Sequence, residues 1–228
     1  MHHSLKAVTS VFALFFLCAC TAQSGGIKSR IENVSRETDT FSINGERIIL
    51  EGSSEGIQKF NEEAEKEITE WTEDFESRAS QITVPGSSPP CLQIRQTVKR
   101  NSGGIISVIT EKYVYLSGLH GNTWWSAKTY DSSPDRTLKL SDLFCDDTYP
   151  KILNERMKEL IENDSEAYHD LWEQPQIDST REDKFYLDDK NLVIFFEPYE
   201  LSYYARGVVE FPIPLEKIRG YVNEEYLP

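Results

Sequence analysis

The feature that most constrains the fold is a change in hydrophobic spacing at about residue 90. Between residues 57 and 75, apolar side chains recur at steps of three and four, which predicts an amphipathic helix with one buried stripe. From residue 91 onwards, β-branched and aromatic runs at 91–98, 105–116 and 123–130 alternate with turn sequences, a pattern typical of antiparallel strands. The chain therefore predicts an α+β fold, an antiparallel sheet or sheets with helices packed on one face.

Local signals add further elements. Asn44-Gly45 between two short apolar runs predicts a two-residue hairpin turn, because both residues accept a positive φ. Apolar spacing with a proline in the first turn predicts a helix over 149–163, and a weaker pattern predicts a short helix within 165–178. The rest of the chain predicts a hairpin at 185–196, a strand at 208–211 and a short helix from Pro214 to Ile218.

The N-terminus has the pattern of a bacterial lipoprotein signal. An apolar stretch follows Lys6 and ends in Leu17-Cys18-Ala19-Cys20, so we expect cleavage before Cys20 and attachment of lipid to that thiol. The alternatives are a membrane-spanning anchor, for which the stretch is shorter than the roughly 20 residues required, and an uncut secretory peptide without lipid. The prediction is an extracytoplasmic, membrane-anchored protein, in the outer membrane or periplasm of a Gram-negative cell and at the cell surface otherwise.

This interpretation sets the predicted domains and the expected state of the remaining cysteines. We expect a signal peptide over 1–19, a tether over 20–36, an N-terminal αβ subdomain over 37–90 and a C-terminal α+β domain over 91–222. Cys91 and Cys145 are the two thiols left, and an oxidising compartment favours a disulfide between them. Two separate buried thiols are the alternative.

The charge balance limits the partners. The chain has a formal net charge of −14, with 38 acidic and 24 basic side chains. Nucleic-acid binding is not expected, since phosphate contacts require clustered Lys and Arg, whereas long-range attraction favours a basic protein. Only two histidines follow the signal and no cysteine pair has zinc-type spacing, so neither a metal nor a cofactor is predicted.

Two aromatic segments in predicted loops are candidate recognition surfaces. The first is 118–125 and the second is 198–207. Exposed aromatic side chains are enriched where proteins recognise ligands. The candidate binding residues are His120, Trp124, Trp125, Tyr199, Tyr203 and Tyr204. The alternative is that the tyrosines pack inward and that His120 is a structural residue of its loop.

The C-terminal half resembles a known family in several ordered motifs. These are Gly118-Leu119-His120-Gly121, Tyr130-Asp131, Leu138-x-Leu140-Ser141-Asp142-Leu143-Phe144, Pro198-Tyr199-Glu200-Leu201, Tyr204-Ala205-x-Gly207 and Phe211-x-Ile213-Pro214. They are similar to those of the RsiV/PdaC-type extracytoplasmic domain family, named after a lysozyme-sensing anti-sigma factor and a peptidoglycan deacetylase. The resemblance covers roughly 37–222, and Tyr203 departs from it where the family usually has proline.

The resemblance implies binding rather than catalysis, because the deacetylase catalytic domain has no counterpart in the matched region. It implies lysozyme, a strongly basic protein, or peptidoglycan as the ligand, with the three tyrosines as anchors. We therefore expect a non-catalytic, membrane-anchored lipoprotein that binds a cell-envelope ligand. One alternative is a carboxylate-based glycan hydrolase, for which Glu200 and Asp142 are the candidates, and the other is a purely structural envelope protein.

Overall fold

The computed structural model describes residues 25–82, 88–178 and 180–227. Two helices and two sheets form four layers in the order helix, sheet, sheet, helix. The predicted α+β class is confirmed, and each sheet carries one helix on one face. The predicted signal peptide and Cys20 lie outside the described residues. No helix among the described residues is long and apolar enough to cross a membrane.

The larger sheet has seven strands, six of them in the order β1-β3-β4-β5-β6-β7, with β2 also paired to β3. Their bounds are β1 Ser29–Asn33, β2 Arg36–Glu37, β3 Ser42–Leu50, β4 Cys91–Ser102, β5 Ile105–Tyr115, β6 Asn122–Asp131 and β7 Arg136–Leu138. Strands β3 and β4 pair in parallel because the helix between them carries the chain back across the sheet. The other pairs are antiparallel.

The smaller sheet has the order β10-β9-β8 and is antiparallel throughout. Its strands are β8 Phe185–Leu187, β9 Asn191–Phe196 and β10 Val209–Pro214. Helix α1 spans Glu55–Ala79 and helix α2 spans Tyr149–Asn163. The helices predicted over 57–75 and 149–163 and the predicted strands of this region are therefore confirmed.

The first half of strand β5, residues 105–110, is the centre of the molecule because it is buried on both faces. Ile106 and Val108 face α1 and pack with Phe60, whereas Ile109 packs against Phe195 of the smaller sheet. The Leu187 N–H donates to the Ser107 hydroxyl at 3.0 Å, which satisfies both groups where the sheets meet. Burial of each large apolar side chain contributes about 1.5–3 kcal/mol, so these contacts hold the layers together.

The predicted hairpin at Asn44-Gly45 is wrong, because both residues lie inside the continuous strand β3. The Gly45 carbonyl accepts a hydrogen bond from the Val34 N–H at 2.9 Å. A Cβ at position 45 would come within 2.7 Å of Val34 Cγ2 and 3.2 Å of Ile94 Cβ. Glycine is therefore needed for the close approach of neighbouring strands, and not for a turn.

The predicted short helix within 165–178 is also wrong, since this segment forms turns. Tertiary contacts position it instead. The Tyr168 ring stacks on Phe211 with centroids 5.0 Å apart, and the Trp172 N–H donates to the Leu201 carbonyl at 2.9 Å. The predicted tether over 20–36 is wrong at its end, because Ser29–Asn33 form β1 and Arg36 begins β2. The other domain bounds stay predictions.

The predicted disulfide is absent from the described residues, where Cys91 and Cys145 are both free thiols. Cys91 begins β4, whereas Cys145 lies beside Asn223, with its thiol 3.4 Å from the Asn223 Oδ1. Arg100, near the end of β4 opposite Cys91, donates to the Tyr226 carbonyl and so lies close to the C-terminal segment that contacts Cys145. At about 3.3 Å per residue, the strand separates the two cysteines by much more than the 7 Å a disulfide can bridge.

Candidate functional site

Two loops meet beside the larger sheet and bring aromatic side chains together. The first joins β5 to β6 and the second joins β9 to β10. The His120 ring stacks on Tyr204 with centroids 4.7 Å apart and planes 17° apart, and Tyr199 lies 5.6 Å from Tyr204. The Thr123 and Tyr204 hydroxyls are 3.5 Å apart, which links the second loop to the start of β6.

We call His120, Tyr199, Tyr204 and the residue that precedes Tyr204 in the same loop, Tyr203, the tyrosine patch. Tyr199 and Tyr203 expose 56% and 48% of their surface, whereas Tyr204, whose ring packs against Tyr199, is half-buried. Tyr199 has φ = 72°, a left-handed conformation that a bulky side chain adopts only when its surroundings hold it there. The inward-packing alternative therefore describes Tyr204 in part and does not describe Tyr199 or Tyr203.

The second loop is held in place by an ion pair between Arg181 and Glu200, with a nitrogen–oxygen distance of 2.9 Å. Arg181 also donates to the Phe195 carbonyl, and the Glu197 N–H donates to Glu200. Burial acts to raise the pKa of Glu200, but the hydrogen bonds from Arg181 and the Glu197 N–H outweigh it and lower the pKa. Glu200 is thus an ionised structural residue of the loop.

A groove of about 370 Å³ lies next to the tyrosine patch, and we call it the aromatic groove. Trp125 and Tyr204 form its aromatic walls, and Glu111 and Glu210 line it with carboxylates. The indole N–H of Trp125 donates to Glu111 at 3.2 Å, and the Tyr186 hydroxyl donates to Glu210 at 2.5 Å. Its lining is Glu111, Thr123, Trp125, Pro198, Tyr204, Ala205, Gly207, Val208 and Glu210.

Both groove carboxylates are oriented by neutral donors. Burial and the hydrogen bond to Glu210 raise the pKa of Tyr186, so the phenol stays protonated and remains a donor. Within the described part of the chain, neither Glu111 nor Glu210 forms an ion pair with Lys or Arg. This sets them apart from Glu200, whose charge is matched by an arginine.

Trp124, predicted to share a surface with Trp125, lies on the opposite face of the sheet. Successive residues of a strand point to opposite faces, so only one of the two can reach the groove. Trp124 and Trp71 enclose the ammonium of Lys112, whose Nζ lies 4.7 Å and 4.6 Å from the two ring centroids. Burial lowers the pKa of Lys112, although nearby acidic residues partly oppose this effect.

The second carboxylate considered for hydrolysis, Asp142, is bound by its own arginine. Arg136 donates to both carboxylate oxygens at 2.6 and 2.8 Å, and the Lys139 N–H donates at 2.7 Å. The hydrogen bond from Arg136 is the main reason that the pKa of Asp142 is lowered. Glu200 and Asp142 therefore stabilise separate segments and do not form a pair.

Sequence reasoning missed Glu111 and Glu210. Glu111 lies between Thr110 and Lys112 in β5, and Glu210 lies between Val209 and Phe211 in β10. For Glu210, a charged residue inside an otherwise apolar strand was the available signal, but the packing of the two sheets was needed to place both carboxylates at one groove. No group of three or more His, Cys, Asp or Glu side chains among residues 25–82, 88–178 and 180–227 is arranged to hold a metal ion.

Comparison with known proteins gives a family match and a shared fold. Residues 141–216 match the family described as Protein of unknown function (DUF3298). A DUF3298 family member from Bacteroides fragilis NCTC 9343 has a similar crystal structure, with a TM-score of 0.63 and 16% identity over 88% of this chain and 96% of that one. The crystal structure of a DUF3298 family protein from Pseudomonas aeruginosa PAO1 is also similar, with a TM-score of 0.61 and 14% identity over 88% of this chain and 97% of that one. No curated protein matches the chain.

Proposed function

We propose that this chain is a non-catalytic binding protein, anchored outside the cytoplasm through lipid on Cys20, whose ligand is a basic, lysozyme-like protein. The observation that carries the proposal is the tyrosine patch, where Tyr199 and Tyr203 are about half exposed although both are large and aromatic. A purely structural envelope protein gives no reason to expose two such side chains in one loop.

The patch has the properties of a protein-binding surface. Tyrosine provides a large contact area with few rotatable bonds, and tyrosines are enriched among the residues that dominate binding energy. The stacking of His120, Tyr204 and Tyr199 fixes the rings before binding, which reduces the entropy lost on association. The patch therefore favours a partner that docks on preformed aromatic surface.

The charge of the chain supports a basic partner. A net charge of −14 attracts a positively charged protein over distances of about a Debye length, which raises the association rate. We also propose that the chain is related to the RsiV/PdaC-type domains whose motifs it resembles. The residues that match the family, 141–216, include Tyr199, Tyr203 and Tyr204, so the matched region and the patch coincide in the second loop.

The test is calorimetric titration of the purified protein with hen-type lysozyme at low and at physiological salt. Specific docking predicts binding that persists at about 150 mM salt, where exposed charges more than about 8 Å apart are screened. Binding at low salt alone would reduce the proposal to non-specific attraction. An absence of binding at both salt concentrations would refute the basic partner, and titration with soluble peptidoglycan fragments would then test the other envelope ligand.

A carboxylate-based glycan hydrolase is the second candidate, and one observation favours it. Glu111 and Glu210 line a single groove, whereas Glu200 and Asp142 are each bound by an arginine. Glycoside hydrolysis uses two carboxylates that flank the scissile bond. Incubation of the protein with purified peptidoglycan tests this function, since release of reducing ends that is lost in Glu111→Gln would establish it in place of the binding role.

A further inference from the structure

We propose that the aromatic groove receives a lysine or arginine side chain of the basic partner. This inference rests on the proposed function and deepens it, because it states which chemical group of the partner enters the molecule and where. The occupant is a cation that lies against the rings of Trp125 and Tyr204 and between the carboxylates of Glu111 and Glu210.

The shape and charge of the groove fit a single cationic side chain. A volume of about 370 Å³ holds a long side chain with some of its backbone, and the walls offer aromatic faces to its aliphatic stem. The two carboxylates are held in position by the Trp125 indole N–H and the Tyr186 hydroxyl. These neutral donors orient the negative charges without neutralising them. Arg95 is the strand partner of Glu111, but it forms no ion pair with Glu111 among the described residues, so the carboxylate can accept a ligand cation.

On the opposite face of the larger sheet, the protein already holds a cation between two aromatic rings. There, Lys112 lies between Trp71 and Trp124, within 4.7 Å of both ring centroids. Aromatic faces attract such a cation through their quadrupole, and the attraction increases when water is excluded. Trp125 and Tyr204 form a similar pair of walls, yet no Lys or Arg of the described residues lies over either ring.

The first arm of the test measures lysozyme affinity for Glu111→Gln, Glu210→Gln and the double variant. Glutamine keeps the side-chain length and an acceptor oxygen, so the hydrogen bonds that fix the groove are retained. We expect each single variant to bind about tenfold more weakly and the double variant to bind more weakly than either, since a hydrogen bond to a charged group contributes at least the equivalent of one decade in affinity. The matched control is Glu62→Gln/Glu73→Gln, which removes two exposed charges from α1 and should bind as the wild type does.

The second arm uses a small probe and does not require lysozyme. The Trp125 indole N–H signal is followed by NMR during separate titrations with Nα-acetyl-arginine methylamide, Nα-acetyl-lysine methylamide, the neutral citrulline analogue and a chitooligosaccharide. We expect saturable shifts with the two cations, a loss of these shifts in the double Gln variant, and little response to citrulline. Equal responses to citrulline and arginine, no response to either cation, or a response to chitooligosaccharide alone would overturn the inference.

The two arms separate this inference from the proposed function. If the wild type binds lysozyme and the double Gln variant binds it equally well, the groove is not the site of a cation and the proposed function stands. If lysozyme does not bind but the arginine probe does, the proposed partner is wrong and the groove remains a cation site.

Discussion

The replacement Gly56→Ala tests how α1 is joined to the larger sheet. Gly56 lies in the first turn of the helix, where its N–H donates to the Asp135 carboxylate at 3.1 Å. A Cβ on residue 56 would lie 1.9 Å from the Asp135 carbonyl oxygen and 2.4 Å from its carbon. This contact predicts that Gly56→Ala destabilises the protein. Helix propensity alone predicts a gain in stability, because alanine stabilises a helix by about 1 kcal/mol relative to glycine.

The structure indicates that the destabilising steric contact outweighs the gain in helix propensity. The atoms that would have to move belong to the backbone of a turn in which Asp135 already has φ = 52°. The Asp135 carboxylate also accepts hydrogen bonds from Ser54 and Tyr130, so the turn has little freedom to shift. Overpacking of this kind costs up to about 3 kcal/mol, which leaves a net loss of about 2 kcal/mol after the gain in propensity.

Urea unfolding followed by circular dichroism measures this change. We expect a lower midpoint with an unchanged slope, and a melting temperature about 4–8 °C below that of the wild type. Gly220→Ala is the control, since no atom lies within 4 Å of a Cβ at that position. An unchanged or higher stability for Gly56→Ala would refute the close contact between α1 and the turn.

Three further predictions concern charge, thiols and anchoring. Arg136 lowers the pKa of Asp142. The ion pair between the two residues therefore stabilises the fold fully above about pH 4, and this stabilisation is lost as the pH falls through the lowered pKa. Asp142→Asn should therefore lower the free energy of unfolding by about 1 kcal/mol near neutral pH, with a difference from the wild type that disappears in acid. A thiol reagent should label exposed Cys145 in the native protein and partly buried Cys91 mainly after unfolding, whereas protection of both until reduction would indicate a disulfide. Cys20→Ser should move the protein from the membrane fraction to the soluble fraction, and unchanged membrane attachment would contradict the lipid anchor.

The helices were predictable because their signals are local. The apolar stripe of α1 repeats at helical spacing, and α2 has both this spacing and a proline in its first turn. The hairpin with Gly103 and Gly104 was predictable for the same reason, since both residues have the positive φ that glycine permits.

The arrangement of strands was not predictable from these signals. Alternation of apolar residues says which face of a strand is buried but not which strand is its neighbour, so the parallel pairing of β3 with β4 was missed and the number of sheets was left open. Asn44-Gly45 shows how one local signal can mislead. Its glycine is required by contact with Val34, which precedes it by 11 residues in the chain.

The two aromatic loops of the candidate site were predictable from the sequence, but their contact in the folded chain was not. Both aromatic loops were identified from sequence, but Thr123 and Tyr204 are 81 residues apart and meet only in the folded chain. Strand alternation would have separated Trp124 from Trp125 in advance. The aromatic groove depends on Glu111 and Glu210 from different sheets, so its composition follows from sheet packing alone.

The most direct test of the binding role compares lysozyme affinity for Tyr203→Ala and Tyr221→Ala at about 150 mM salt. Both tyrosines are exposed, at 48% and 41%, but only Tyr203 belongs to the tyrosine patch. The account predicts that Tyr203→Ala weakens binding by at least about tenfold, as expected for an aromatic hot spot, and that Tyr221→Ala leaves it unchanged. Equal affinity for both variants and the wild type would contradict the claim that the patch is the docking surface.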